Sequence, residues 1–270
     1  MTNWASKLRG ELSQRGKDFA AAQRVTWYES LGAPPTILFP ADFSASRHGN
    51  FIDDSYRAIL ANPPWAERLG KAHSQRRALP EDRRADAKEL DSCNSSDALL
   101  MNCFCYPTAA AQIFQRLLPL LPVGQPEFGV AGDVPLQGGR SDTTEVDMRA
   151  GRVIFESKLT ETDFTERPRG HVERYRGLSE VFDVSVLPQT ALAYQGYQLI
   201  RNVLAAAAHG YHFVLLCDGR RPDLLHEWWQ VHGAIRTAQL RARCRFLLWQ
   251  EVADACPSQL QAFLHAKYGL

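Results

Sequence analysis

The sequence has little of what would place it quickly. It contains no run of about 18 apolar residues, so no membrane span is predicted. The first ten residues, Met1-Thr-Asn-Trp-Ala-Ser-Lys-Leu-Arg-Gly10, lack the apolar h-region of a secretory signal. Cysteine is sparse and irregularly spaced, six in 270 residues, which argues against a disulfide framework and for a reducing cytoplasm. There is no internal repeat and no low-complexity tract. Excess charge is missing as well. Thirty-one basic residues against 30 acidic ones leave a formal net charge of +1, which excludes a polybasic binder of the histone type. Any nucleic-acid footprint must therefore be local. Gly138-Gly139 is not followed by Gly-Lys-Ser/Thr, so it makes no P-loop.

What remains is an ordinary globular composition, 45% hydrophobic and 23% charged, long enough for one large or two small domains. Residues 1–35 read as helical, with Leu8, Leu12, Phe19 and Trp27 among polar residues, until Pro34-Pro35 stops the pattern. Residues 36–92 mix short apolar pieces with breakers and end in a charged run from Gln75 to Asp91, read as a surface helix or a mobile connector. From residue 93 the rhythm is regular. Ser95-Ser96-Asp97 opens a helix that runs toward Leu118, with Pro107 placed to kink or split it. Pro119 to Arg140 is rich in breakers. Thr143–Met148 and Arg152–Leu159 read as strands around Ala150-Gly151. A helix is expected over Gln189–His209, a buried strand over Tyr211–Cys217, a helix over Leu224–Arg241 and a strand over Cys244–Gln250. A last helix runs through Leu264. Helices interleaved with short apolar strands give an α/β layered domain.

The stretch Thr143-Thr-Glu-Val-Asp-Met-Arg-Ala-Gly-Arg-Val-Ile-Phe-Glu-Ser-Lys158 carries the chemistry. Val146 and Met148 alternate with Glu145 and Asp147, and Val153 and Phe155 alternate with Ile154, Glu156 and Lys158. Each strand thus has an apolar face and a charged one. A loop with an even number of residues pairs Met148 with Val153 and Asp147 with Ile154, and sets Glu145 opposite Glu156. A three-residue loop sends the charged sets to opposite faces. One buried face selects the even register, because a one-residue slip flips every side chain. Glu145, Asp147, Glu156 and Lys158 then converge. Carboxylates crowded on adjacent strands call for neutralisation by solvent or a cation, and oxygen donors suit magnesium or manganese. Such an ion polarises a phosphoryl oxygen and lowers the pKa of bound water. Beside it the Lys158 ammonium could orient water or stabilise charge on the phosphate. Acid, acid and lysine around one ion suit phosphodiester hydrolysis.

Asp147, eight residues, then Glu156-Ser157-Lys158 resembles the PD-(D/E)xK nuclease superfamily, although Val146 stands where the family's proline would be. Three segments resemble bacterial restriction endonucleases of that superfamily. Ser95-Ser-Asp-Ala-Leu-Leu-Met-Asn102 is similar to their first core helix, Phe155-Glu-Ser-Lys-Leu-Thr-Glu161 to their catalytic strand, and Tyr197-Gln-Leu-Ile-Arg-Asn202 to the following helix. The resemblance spans about residues 91–250 and does not account for the first 90. It implies a restriction-endonuclease-like three-layer αβα core over residues 93–270, built on a central mixed sheet in the order αβββαβ. Residues 1–92 then form a mainly helical extension. The implied activity is metal-dependent DNA cleavage leaving a 3′-hydroxyl and a 5′-phosphate. Asp147 and Glu156 are the implied ligands of Mg2+ (Mn2+ as substitute), with the Ser157 backbone carbonyl as a further one and Lys158 as the catalytic lysine. Glu145 is a rival first ligand, and Asp97 is the acid on the first core helix.

Around this core, Arg167, Arg169, His171, Arg174 and Arg176, with Glu166 and Glu173 between them, form either a phosphate-neutralising loop for DNA or a solvated one. Gln198 and Arg201 are neighbours on one helix face, suited to holding a phosphate or orienting Lys158, or else part of an ordinary helix network. Arg220-Arg221 reads as a backbone contact to nucleic acid or a plain turn. Cys93, Cys103 and Cys105 lack a C-x2-C pair and are expected to be buried thiols rather than zinc ligands. His209, His212, Trp228 and Trp229 read as structural. The sequence leaves RNA as a substitute for DNA open. A homodimer is the expected state if both strands of a duplex are cut. The alternative is a silent nuclease fold that binds nucleic acid or protein.

Overall fold

The computed structural model describes residues 3–42, 47–73 and 76–270. Met1 and Thr2 of the N-terminal segment, and Gln75 at the head of the charged run, lie outside the described residues. The chain forms two compact units, one of residues 1–119 with 249–270 and one of residues 120–248.

The first unit is mainly helical. Its long opening helix, Trp4–Gln23, starts at an Asn3 cap whose side chain accepts the Ser6 N–H, and ends where Arg24 turns left-handed. The charged run becomes three short 3-10 turns, Arg76–Ala78, Glu81–Arg83 and Glu89–Asp91, instead of one surface helix. The expected split at Pro107 is present, giving helices Ser96–Cys105 and Ala109–Leu117. Asp97 is buried here and bonded to Arg68 (3.0 Å) and Lys71 (2.7 Å). Two further helices, Trp249–Ala255 and Ser258–Tyr268, close the chain.

The second unit is built on a five-stranded mixed sheet. Its strands are β1 (Pro126–Ala131), β2 (Glu145–Ala150), β3 (Val153–Ser157), β4 (His212–Cys217) and β5 (Cys244–Leu248), in the spatial order β5-β4-β3-β2-β1. β1, β2 and β3 form an antiparallel meander, while β4 and β5 run parallel to β3. Helix α1 (Tyr197–His209) joins β3 to β4, and α2 (Pro222–Gly233) lies between β4 and β5. Parallel neighbours need such crossovers. Phe213 and Leu215 stand on the same face as Ile154 and Glu156, by their pairing across β3 and β4. Phe213 meets Trp228 of α2 edge-on at 5.7 Å, and one apolar cluster joins Ile154, Phe213, Val203 and Trp228. The two helices therefore cover the face that carries Glu156.

Several boundaries differ from expectation. β1 lies inside the breaker-rich stretch. It is a half-exposed edge strand, the place where a strand tolerates Pro126, and Gly129 has φ +62° where its ladder skips a pair. α1 begins at Tyr197, not Gln189, because Gly196 takes φ +68° and the preceding residues pair Ala193–Tyr194 with Arg167–Pro168. The helix expected over Leu224–Arg241 is two, Pro222–Gly233 and Ala238–Arg243.

The hairpin register has the expected parity with different partners. Gly151-Arg152 is a two-residue loop, so Ala150 faces Val153 and Met148 faces Phe155. The expected pairs Met148–Val153, Asp147–Ile154 and Glu145–Glu156 are thereby each displaced by two residues. The tight turn depends on Gly151 at φ +61°, where a Cβ would stand 2.5 Å from the Pro122 carbonyl oxygen. Continued one step beyond the paired residues, the ladder sets Asp147 level with Glu156.

Candidate active site

β3 is central and buried throughout, and its last residues carry the site. Glu156 is 1% exposed and Lys158 5%. Burying two charges is unfavourable unless each is paired and hydrogen-bonded. Both conditions hold. Lys158 Nζ donates to Glu156 Oε1 at 2.7 Å, and Asn202 Nδ2 donates to Oε2 at 2.7 Å. The Arg201 guanidinium lies 4.0 Å from Oε2. Burial opposes ionisation of Glu156, but the charges of Lys158 and Arg201 and the two hydrogen bonds hold its carboxyl below the usual range. Burial likewise works against the Lys158 ammonium, and Glu156, Glu161 and Asp147 outweigh it, raising the amine above its ordinary value. Lys158 is thus a fixed cation at neutral pH.

Asp147 is half-buried, and its Oδ2 accepts the Ser157 N–H at 2.7 Å, which ties β2 to the end of β3. Glu145 is exposed at the far end of β2. Its main-chain carbonyl accepts from Arg201 Nη2 at 2.8 Å. Three carboxylates (Asp147, Glu156, Glu161) face two cations (Lys158, Arg201), leaving a net negative charge. Among the described residues no three His, Cys, Asp or Glu side chains form a metal cage. The donor set on hand is two carboxylates and the Ser157 carbonyl. It is all oxygen, and it fits a hard cation that keeps several waters.

α1 supplies Arg201 and Asn202. Arg201 is buried and also donates to Asn202 Oδ1 at 3.1 and 3.2 Å, so its guanidinium belongs to the Glu156 site and not to an open surface. Asn202 stands in the quoted helix segment without an expected role, and its position next to Arg201 was the available signal. Gln198 is half-buried in the first turn of α1, where its N–H donates to the Phe164 carbonyl at 3.0 Å. Its side-chain amide makes no hydrogen bond among the described residues.

Two further groups fix the segment after Lys158. Arg221 is fully buried. It donates to the Leu159 carbonyl (3.0 Å), the Thr162 carbonyl (3.2 Å) and the Asp223 carboxylate (2.8 Å). Arg220 forks onto buried Asp218 at 2.9 and 2.6 Å. Glu227 of α2 faces the main-chain N–H groups of Phe164 and Gly196, which favour its ionised form. Burial, reinforced by Asp163 and Asp223, raises its carboxyl to about 7. Its folded-state pKa lies above the unfolded value of 4.5, so between these values the folded state binds the extra proton. Stability from this group is therefore full below pH 4.5 and declines as pH rises through 7. Melting temperatures measured from pH 5 to 8 should fall less steeply in Glu227→Gln than in the wild type.

The basic loop sorts itself by partners. Arg169 pairs with Glu173 (3.1 Å), bonds Gln189 and lies 4.9 Å over the Tyr194 ring. Arg167 lies 5.3 Å over the Tyr197 ring. Arg174 and Arg176 are exposed. All six cysteines are buried free thiols.

A family profile described as restriction endonuclease associating with ARP matches residues 18–269. The chain belongs to this family. No curated protein and no solved structure matches it. The match runs through both units, so the family extends well into the first 90 residues that the sequence resemblance left unexplained. Membership in this restriction-endonuclease family supports a nuclease-like function and interaction with DNA. No helix among the described residues is long and apolar enough to cross a membrane.

Proposed function

We propose that the chain is a magnesium-dependent DNA endonuclease of the PD-(D/E)xK type, with a three-layer αβα core. The observation that carries this reading is the buried Glu156–Lys158 pair at the end of β3, with Asp147 level with it on β2 and Arg201 and Asn202 closing it from α1. Asp147, Glu156 and the Ser157 carbonyl would hold the ion. When bound, that ion supplies Lewis-acid polarisation of the phosphate and a more acidic water. Lys158, charged and fixed, orients the attacking water and offsets charge that develops on the phosphoryl oxygens. Asn202 and Arg201 hold Glu156 in place as positioning residues. Arg167 and Arg174 contact the nucleic-acid backbone, and a homodimer would cut both strands. The family's association with ARP extends to this chain as a partner.

The test is incubation of the full chain with supercoiled and linear DNA, and with RNA, in Mg2+, Mn2+ or EDTA. Metal-dependent cutting is expected. Intact substrates under every condition, together with no divalent-ion binding by calorimetry, would overturn the reading in favour of a silent nuclease fold.

A further inference from the structure

Beside the carboxylate site, a chain of hydrogen bonds runs from Asp142 to Arg174. Tyr175 Oη donates to Asp142 Oδ2, and the Tyr197 hydroxyl lies 2.8 Å from Tyr175 Oη and 3.3 Å from Asp142 Oδ2, so its one proton points into this pair. Burial disfavours the Asp142 carboxylate, but hydrogen bonds from Thr144 and Tyr175 and the charge of Arg201 hold it at about 2. It is therefore ionised and can only accept. With its proton turned toward Tyr175 and Asp142, Tyr197 Oη accepts from His171 Nε2 at 3.3 Å. At the other edge of the ring, Arg174 Nη2 lies 3.0 Å from His171 Nδ1. A guanidinium has no acceptor and does not lose its proton, so Nδ1 must be bare. The network thus fixes His171 as the neutral Nε2–H tautomer.

The charges facing His171 are Arg174, Arg167 and Asp142, and its ring is also edge-on to Tyr175 and Tyr197. Neither Arg167 nor Arg174 makes a salt bridge among the described residues, in contrast to Arg169. Two exposed guanidinium groups without acids thus flank an imidazole that burial and their charges hold neutral, an arrangement suited to an anion. We infer that Arg167, His171 and Arg174 form a cradle for a backbone phosphodiester of the bound nucleic acid, and that His171 takes up a proton when the phosphate arrives. This rests on the nucleic-acid reading above. The phosphate draws Arg174 off Nδ1. The freed Nδ1 accepts a proton from the buffer, and the imidazolium then donates Nδ1–H to a phosphate oxygen. Tyr197 keeps the Nε2 bond throughout.

The experiment is titration of the full chain with a short duplex DNA in EDTA, so that nothing is cut, by calorimetry in two buffers of different ionisation enthalpy at pH 7. Anisotropy titrations over a range of salt accompany it. Proton uptake by the wild type is expected, and its loss in His171→Gln. Arg167→Ala and Arg174→Ala should each weaken binding and lower the slope of log K against log salt by about 0.9. Arg169→Ala, already committed to Glu173, should leave that slope unchanged. A third arm uses inorganic phosphate alone. Phosphate binding that Arg174→Ala abolishes, with DNA affinity unchanged in that variant, would assign the cradle to free phosphate and overturn the proposal. DNA binding with no proton uptake and wild-type slopes in both arginine variants overturns the cradle while leaving the nuclease reading standing. No binding of any nucleic acid overturns both.

Discussion

Lys158→Met should reduce DNA cleavage by about 10³-fold or more, the scale on which removal of one fixed charge-stabilising donor acts on a reaction. Its amine is buried, held at 2.7 Å from Glu156, and kept protonated by three carboxylates. It therefore contributes a positive charge at a set position, and no surface lysine can replace it. Lys158→Arg should not restore activity, because a forked guanidinium does not fit where a single ammonium is enclosed. Removing one partner of a buried pair also destabilises, by about 3–5 kcal/mol, so loss of activity in this variant alone would be ambiguous. Asp147→Asn resolves that ambiguity. Asp147 is only half-buried, and the amide keeps the shape and an acceptor for the Ser157 N–H, so folding by circular dichroism should be preserved while cleavage is lost to a similar extent. An Asp147→Asn protein that cuts at the wild-type rate would remove Asp147 from the chemistry.

The second large effect is on stability. Arg221→Met should cost about 3 kcal/mol or more, because it orphans two main-chain carbonyls and leaves Asp223 without its forked partner. Urea denaturation should show a lower midpoint with an unchanged slope, since the surface exposed on unfolding is the same. Arg221→Lys should recover little, because one ammonium cannot reach the Leu159 and Thr162 carbonyls and the carboxylate at once. A midpoint within error of the wild type would show that this buried guanidinium is dispensable. The sequence offered two readings of Arg220-Arg221, a contact to nucleic acid or a turn. In the structure Arg221 is an internal clamp on the segment that follows Lys158.

The same contrast runs through the rest of the chain. The β2–β3 hairpin was legible because its alternation is strict and one face is apolar. The sequence determined the parity of the register, and the choice between a two- and a four-residue loop fell to a close approach at Gly151 that no pattern records. β1 was hidden because an edge strand tolerates proline, glycine and exposure, the signals otherwise read as breakers. The early start expected for α1 followed apolar spacing past Gly196, whose left-handed backbone interrupts it. At the site, Asp147, Glu156 and Lys158 share one hairpin and could be associated by register alone. Asn202, Tyr175 and Asp142 come from three separate segments, and only the crossover through α1 brings them to the same neighbourhood. Arg201, read in the sequence as a group to hold a phosphate, to orient Lys158 or to join a helix network, is enclosed beside Glu156, because a buried carboxylate needs cations close to it.

α1 carries Tyr197 at one end of a turn and Arg201 with Asn202 at the other. In the proposed reading, the side chain that braces the cradle's His171 and the two that brace Glu156 are thus mounted on one stiff rod, about 6 Å apart along its axis. That spacing works as a ruler. Through these bonds, the position of the scission relative to the held phosphate is tied to a turn of helix.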